Sequence, residues 1–160
     1  MATMKFEGVD DYLKELQKIY DMTDEHVGRA IYAGAKVVAD GVKEAVRALP
    51  RDDDPGKKDM RSGLRSIQVE GLVQSFGITP MRTDGTFKNV KLGFDGYNAV
   101  RTERWPQGQP NAMIARAAES GTSFMKKTPF MSKTTRAKKA ECEAKMRATL
   151  DQEISKLVRK

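Results

Sequence analysis

Cysteine and histidine are the residue types of this chain that could combine in nucleophilic catalysis, and each occurs once, as Cys142 and His26. A thiol beside an imidazole can act as a nucleophile with its general base. Cys142, however, falls on the apolar stripe of one predicted helix and His26 in the first turn of another, so we interpret both as structural. A single cysteine excludes an internal disulfide, and one Cys with one His is not a zinc ligand set.

The 22 acidic residues contain no carboxylate pair that the sequence distinguishes from the others. Asp52, Asp53 and Asp54 could hold a hard cation, but consecutive side chains point in different directions and no glycine-spaced ligand loop follows, so a solvated loop is favoured. The chain also lacks a phosphate-loop signature, a nucleophile elbow and internal repeats. We therefore predict no catalytic residues, no cofactor, no metal site and no enzymatic activity; a small hydrolase is the alternative that unspecific carboxylates leave open.

The positive charge is concentrated at one end of the chain. Residues 121–160 contain 11 Lys and Arg against 4 Asp and Glu, a balance that equals the whole net charge of +7. This asymmetry indicates a polyanion or an acidic partner surface near that end, and the alternative is a helix face that only interacts with solvent. The candidate basic surface consists of Lys126, Lys127, Lys133, Arg136, Lys138 and Lys139.

The elements that position these residues belong to one predicted domain, residues 1–160. The chain is long enough to bury a core without disulfides, and its composition of 39% hydrophobic and 32% charged residues is that of a globular protein. No stretch has the apolar length of a membrane span, and the first residues lack the apolar centre of a signal peptide. We expect no membrane association and synthesis in the cytoplasm.

Helical spacing predicts two helices before the first loop. One covers residues 9–21; the second begins after Thr23 as N-cap, extends from about residue 24 to Leu49 and stops at Pro50. One side of the second helix is unusually small, which would allow close approach within the core or from a neighbouring subunit. Its small residues are Ala30, Ala33, Gly34 and Ala35.

Residues 50–63 are rich in proline and glycine and have no apolar period, so they are predicted to form a long exposed loop. From residue 64 to residue 94 the apolar residues alternate, as at Ile67 and Val69, which predicts a small antiparallel sheet. Two of its strands are expected to join around Asp84-Gly85.

Residues 95–110 are again rich in turn-forming residues and contain the single tryptophan. Trp105 is interpreted either as an exposed contact residue or as a lid that covers the sheet.

The C-terminal third is predicted to contain a short helix capped by Asn111 and ended by Gly121, followed by a basic helix at about residues 129–158. Thr128 would cap this last helix and Pro129 would occupy its first position. Its apolar stripe comprises Cys142, Met146, Leu150, Ile154 and Leu157. The predicted fold class is α+β, a small antiparallel sheet packed by a long helix in the N-terminal half and a long C-terminal helix.

Glu119 is the acidic residue at the corner between these two helices. It could accept hydrogen bonds from backbone N–H groups of the turn, pair with Lys126 or Lys127, or reach across a subunit boundary.

Several segments, in this order, resemble the neck and tail-completion family of tailed bacteriophages and prophages. They are "FEGVDDYLKEL", "GLVQSFGI", "VKLGFDGYN", "ARAAESGTS" and "KKTPFM" before a long C-terminal helix. The resemblance covers nearly the whole chain. Its most distinctive part is the motif corner, which we define as Glu119, Gly121, Thr122, Ser123, Pro129 and Phe130.

The resemblance implies a structural, non-enzymatic virion protein at the head-tail junction. Such a protein would form a ring with itself and with head-connector and tail proteins, and would be made in the cytoplasm of the bacterial host. Packaged DNA lies close to that junction, so the basic residues could contact phosphates without sequence preference. The alternative function is a non-sequence-specific nucleic-acid-binding protein that uses the basic C-terminal quarter, although the lysines have no neighbouring aromatic platform.

Overall fold

The computed structural model of the protein describes residues 9–54, 60–85 and 87–158, with side chains between positions 24 and 156 of these ranges. The predicted α+β class is confirmed, because a long helix of the N-terminal half packs on the long C-terminal helix and the chain also forms short antiparallel strands. In chain order the elements are α1 (Val9–Arg47), α2 (Ser66–Ser75), β1 (Phe76–Ile78), β2 (Arg82–Asp84), β3 (Phe87–Asn89), β4 (Leu92–Phe94), α3 (Asn111–Ser120) and α4 (Phe130–Val158).

The first part of the chain forms one helix, so the prediction of two helices is wrong. Helix α1 has 39 residues and is about 58 Å long. Thr23 lies inside this helix rather than at its start, because no proline or glycine near it ends the preceding helical turns. The predicted end is confirmed: α1 stops shortly before Pro50, whose ring disfavours the helical conformation of the residue before it.

Helices α1 and α4 pack in antiparallel orientation along the small-residue side of α1. Gly34 faces Met146 so closely that a Cβ at position 34 would lie 2.4 Å from the Met146 Cγ. Nearer the N-terminus of α1, His26 meets Glu153, close to the C-terminus of α4. The small residues therefore allow close packing within the chain. The predicted stripe of α4 follows this contact at Cys142 and Met146, whereas Ile154 is 46% exposed and Leu157 lies outside the described side chains.

The strand predicted from Ile67 and Val69 is wrong, because both residues belong to helix α2. Val69 and Leu72 are buried and three residues apart, and Phe76 follows four residues later. This helical spacing competes with the alternation in the same short apolar run, and packing against α1 and α3 decides the outcome.

The four strands form an interrupted antiparallel ribbon. Strand β1 pairs with β4, with Phe76 opposite Phe94, and β2 pairs with β3, with Asp84 opposite Phe87. Pro80 lies between β1 and β2, where its missing N–H interrupts the ladder. The predicted turn at Asp84-Gly85 is confirmed, and Gly85 has φ 60.

The core lies where the ribbon meets the helices. The Phe94 ring lies 4.7 Å from the Phe76 ring and 6.1 Å from that of Phe130, the first residue of α4. Val42, Val46, Val69 and Leu72 are the largest fully buried side chains. Among the described residues, no helix combines the length and the apolar character that crossing a membrane requires.

Candidate functional site

Glu119, near the C-terminus of α3, caps the first turn of α4. Its carboxylate accepts hydrogen bonds from the backbone N–H groups of Met131 at 2.8 Å and Ser132 at 3.0 Å. Burial acts to raise the pKa of Glu119, but the hydrogen bonds from Ser132 and Met131 outweigh it and hold the pKa below its usual value. Of the three interpretations of Glu119, the structure thus supports bonding to backbone N–H groups, although those groups belong to α4 rather than to the turn.

Gly121 ends α3 in a conformation that other residues rarely adopt, with φ 75 and ψ 168. A Cβ at this position would lie 3.0 Å from the backbone nitrogen of Lys127. The N–H of Thr128 donates to the Ala118 carbonyl at 2.8 Å, which closes the turn. The predicted end of the short helix at Gly121 is confirmed, and both the positive φ and the close backbone approach favour glycine there.

The remaining residues of the motif corner complete this junction. The Thr122 N–H donates to the Met125 carbonyl at 2.9 Å, and Ser123 at the tip of that turn is exposed. Pro129 precedes α4, which starts at Phe130, one residue later than predicted. Phe130 is 5% exposed and anchors the start of α4 in the core.

A groove with a volume of about 580 Å³ lies beside the motif corner. Four arginines and no acidic residue are among the described residues that line it, and the remaining lining residues are mostly apolar. We call it the arginine groove. We call its four arginines, Arg61, Arg65, Arg101 and Arg104, the rim, and its large apolar residues, Leu64, Val100, Trp105, Met113, Ile114, Phe124 and Met125, the floor.

Two buried asparagines hold the 95–110 segment that forms one wall of the groove. The Asn98 amide donates to the Asn111 side-chain oxygen at 3.1 Å, and the Asn111 amide donates to the Asp95 carbonyl at 2.9 Å. Asn111 was predicted to be an N-cap; it is instead the first helical residue of α3, with Pro110 at the cap position. Gly108 has φ 108 and a Cβ there would lie 1.9 Å from the Asn98 carbonyl oxygen, so a side chain is excluded.

This anchoring places Trp105 in the arginine groove. Its side chain is half-buried, and the Arg104 guanidinium lies 5.9 Å from its ring centroid. The groove is lined by residues of α2, α3 and the loops and by none of the described strand residues. The structure therefore does not support the predicted role of Trp105 as a lid over the sheet.

A second wall of the groove is formed by the backbone of residues 60–64, which pairs with the 122–126 turn. The Arg61 N–H donates to the Phe124 carbonyl at 2.7 Å, and the Lys126 N–H donates to the Arg61 carbonyl at 3.0 Å. Gly63 contacts Pro50 so closely that a Cβ would lie 1.9 Å from the Pro50 carbonyl oxygen.

The described ends of the 50–63 loop are thus anchored, and the prediction that Asp52 is solvated is wrong. Asp52 is 8% exposed, and its carboxylate accepts hydrogen bonds from the Ser62 N–H and hydroxyl. Asp53 accepts a hydrogen bond from the Ser66 N–H at 2.7 Å, at the start of α2. Within the described parts of the chain, no three His, Cys, Asp or Glu residues are grouped to hold a metal ion.

The candidate basic residues do not form one continuous free surface. Lys126, Lys127, Lys133 and Arg136 are exposed. Lys138 pairs with Glu141 at 2.7 Å, and its aliphatic part lies against Gly41 of α1. Lys139 lies 4.0 Å from Glu143, so opposite charges partly neutralise the middle of α4.

His26 and Cys142 are far apart, which excludes a catalytic pair in this fold. His26 Nδ1 lies 2.6 Å from a Glu153 oxygen, and Cys142 precedes Glu153 by about 16 Å along α4. Burial and the charge of Glu143 raise the pKa of the Cys142 thiol, which reduces its nucleophilicity at neutral pH.

Glu153 is a buried charge that the sequence did not single out. Its side chain is 7% exposed and pairs with Lys156 at 2.6 Å and with Arg29 at 2.8 Å, in addition to His26. Hydrogen bonds from Lys156, His26 and Arg29 lower the pKa of Glu153 to about 2. The signal in the sequence that could have indicated a buried Glu153 is its position on the face of α4 that carries the apolar residues.

In comparisons with known proteins, no family model, curated protein or solved structure matches this chain. Two structural features remain on which a functional interpretation can be based. The motif corner sets the start of α4, and the arginine groove beside it is open to a partner.

Proposed function

We propose that the protein is a structural assembly protein of a tailed bacteriophage or prophage that acts at the head-tail junction, in the neck or in tail completion. It forms a ring with itself and with adjacent connector or tail proteins in the assembled particle. The observation that carries this proposal is the motif corner. The segment with the most distinctive family resemblance folds as one unit in which Glu119, Gly121 and Phe130 each have a defined structural role.

A rigid junction of this kind suits an assembly protein. The corner sets the direction of α4, a helix about 44 Å long that packs on the still longer α1. Large aromatic side chains are exposed on several segments of the molecule, and they are candidates for contacts with neighbouring subunits. Among the side chains that the structure describes, the most exposed of these are Phe87 at 77%, Phe124 at 67% and Tyr97 at 63%. They lie on different segments, as a ring with two different contact surfaces per subunit requires.

Non-specific binding of nucleic acid is the second candidate function. It is supported by the exposure of Lys126, Lys127, Lys133 and Arg136, which could contact phosphates. The ion pairs of Lys138 and Lys139 with glutamates weaken it. In the virion these exposed residues would contact packaged DNA through many weak contacts.

Deletion of the gene from its phage tests the proposed function. We expect filled heads and complete tails to accumulate separately, and electron microscopy to show joined particles again after the gene is supplied in trans. Light scattering on the purified protein, alone and mixed with the neighbouring head and tail proteins, would detect the expected complex. An undiminished titre of joined, infectious particles without the gene would refute the proposal.

A further inference from the structure

We propose that the arginine groove binds an acidic amphipathic helix of another protein. The apolar side chains of that helix enter the floor of the groove, and its carboxylates pair with the arginines of the rim. This inference deepens the proposed function, and the assignment of the helix to a neighbouring protein at the head-tail junction rests on that function. The chemistry of the bound helix follows from the groove alone.

The charge of the rim selects an acidic ligand. All the charged residues among the described lining are arginines; Arg101 and Arg104 are exposed, and Arg61 and Arg65 are half-buried. An apolar floor lowers the local dielectric and strengthens the field of these charges. A guanidinium binds a carboxylate through two parallel hydrogen bonds, so the rim can both attract and orient acidic side chains.

The floor favours a protein rather than a nucleic acid. Met113 is 39% exposed and Phe124 is 67% exposed, and both line the groove together with the buried side chain of Ile114. Methionine adapts its shape to apolar side chains that enter a groove. Stacking of successive bases needs several free aromatic faces, whereas Arg104 already lies over the ring of Trp105.

The hydrogen bonding of the backbone in the walls of the groove favours docking of a helix over pairing with an added strand. The N–H and carbonyl of Arg61 are both bonded to the 122–126 turn, and the N–H and carbonyl of Trp105 both bond to Thr102. An added strand needs unpaired backbone groups along an edge, whereas a helix docks through side chains spaced three and four residues apart.

The single tryptophan makes the groove directly observable. Trp105 fluorescence reports occupancy in the full-length protein, because no other tryptophan is present. The probes are three synthetic helical peptides of about 18 residues with the same leucine positions and with glutamate, glutamine or lysine on the flanking positions. We expect the glutamate peptide to change Trp105 fluorescence saturably and to bind about tenfold or more tightly than the other two.

Two variants test the rim and the floor separately. Arg101→Glu should weaken the glutamate peptide about tenfold and improve the lysine peptide, while the matched variant Arg82→Glu, on strand β2, should change neither. Met113→Gln should weaken all the peptides that bind, because it makes the floor polar. Thermal melting of each variant establishes that it is folded.

Equal binding of the three peptides, or no effect of Arg101→Glu, would overturn the proposal. Tighter binding of a single-stranded oligo(dT) than of the glutamate peptide, with the same fluorescence change, would assign the groove to nucleic acid instead.

Other outcomes separate this inference from the proposed function. Selective binding of the glutamate peptide together with normal head-tail joining after gene deletion would refute the proposed function but leave the groove as a helix-binding site. Purified neighbouring phage proteins that fail to displace the glutamate peptide would refute only the assignment of the helix to them.

Discussion

The carboxylate of Glu119 and the backbone N–H of Met131 are joined by a hydrogen bond of 2.8 Å between the last turn of α3 and the first turn of α4. A negative side chain at this place satisfies N–H groups that have no partner within the helix and interacts favourably with the helix dipole. The bond links the two helices across the turn that contains Gly121. The start of α4 is therefore determined by a residue outside α4.

Replacing Glu119 by alanine should destabilise the protein by about 1 kcal/mol, the usual effect of removing a helix cap. Glu119→Gln should cost less, because the amide oxygen can still accept a hydrogen bond although the charge is lost. Urea unfolding of both variants provides the measurement. Glu103→Ala, in an exposed loop position, is the control. If Glu119→Ala and Glu103→Ala unfold at the same urea concentration, the cap contributes nothing.

Gly121→Val should destabilise the corner by about 1 kcal/mol or more, because valine disfavours a positive φ and its side chain would meet the Lys127 backbone. Gly77→Val is the matched control, since Gly77 lies in strand β1 and a Cβ there meets no atom within 4 Å. Thermal melting compares the two. A Gly121→Val protein that melts with the parent and still supports assembly would contradict the role of the corner.

The stability of the protein should fall in acid through Glu153. The pKa of Glu153 in the folded chain is lowered from 4.5 to about 2, so the unfolded chain takes up the proton first as the pH decreases. Its contribution is complete above the ordinary pKa and is lost as the pH falls from about 4.5 toward about 2. The free energy of unfolding, measured across this interval, should therefore depend less on pH in Glu153→Gln.

The control for this pH experiment is Glu141→Gln. Glu141 pairs with Lys138 on the exposed side of α4, and exposed ion pairs contribute little to stability. Equal pH slopes in the parent and in Glu153→Gln would show that the contacts of Glu153 with Lys156, His26 and Arg29 do not control acid stability.

Replacing Lys126, Lys127, Lys133 and Arg136 by glutamine should leave folding nearly unchanged, because these exposed charges contribute little to stability. The variant should nevertheless reduce the yield of joined, infectious particles if these residues face DNA or an acidic ring partner. The isolated parent should bind DNA weakly, without sequence preference and less in higher salt. Titre and electron microscopy of complemented particles measure the effect.

A variant with four other exposed charges changed to glutamine controls for the loss of net charge. The substituted residues are Lys36, Arg82, Lys91 and Arg116. Normal joining by the first variant would assign its residues to interaction with solvent. Equal loss of joining by both variants would show that net charge, and not this surface, is what matters.

The features that the sequence predicted correctly depend on the backbone chemistry of single residues. Pro50 disfavours helix before it, Asp84-Gly85 favours a tight hairpin turn, and Gly121 accepts a positive φ. These preferences act within a few residues of the chain, so they can be recognised before the fold is known. The long C-terminal helix could be predicted for a different reason, because its helical period extends over many turns.

The errors occurred where local signals were balanced or where partners are distant in sequence. Ile67 and Val69 fit a strand or a helix equally well, and contacts with α1 and α3 select the helix. The pairing of Asn98 with Asn111 and of Glu153 with His26 follows no local rule. The partners are separated by 13 positions in the first pair and by 127 positions in the second. The sequence by itself determined the turns at Asp84-Gly85 and Gly121, the end of α1 and the presence of a long C-terminal helix. Only the tertiary structure decided which charges are buried and how two pairs of arginines from two distant segments line one apolar groove, because such neighbours are set by packing between elements rather than by spacing along the chain.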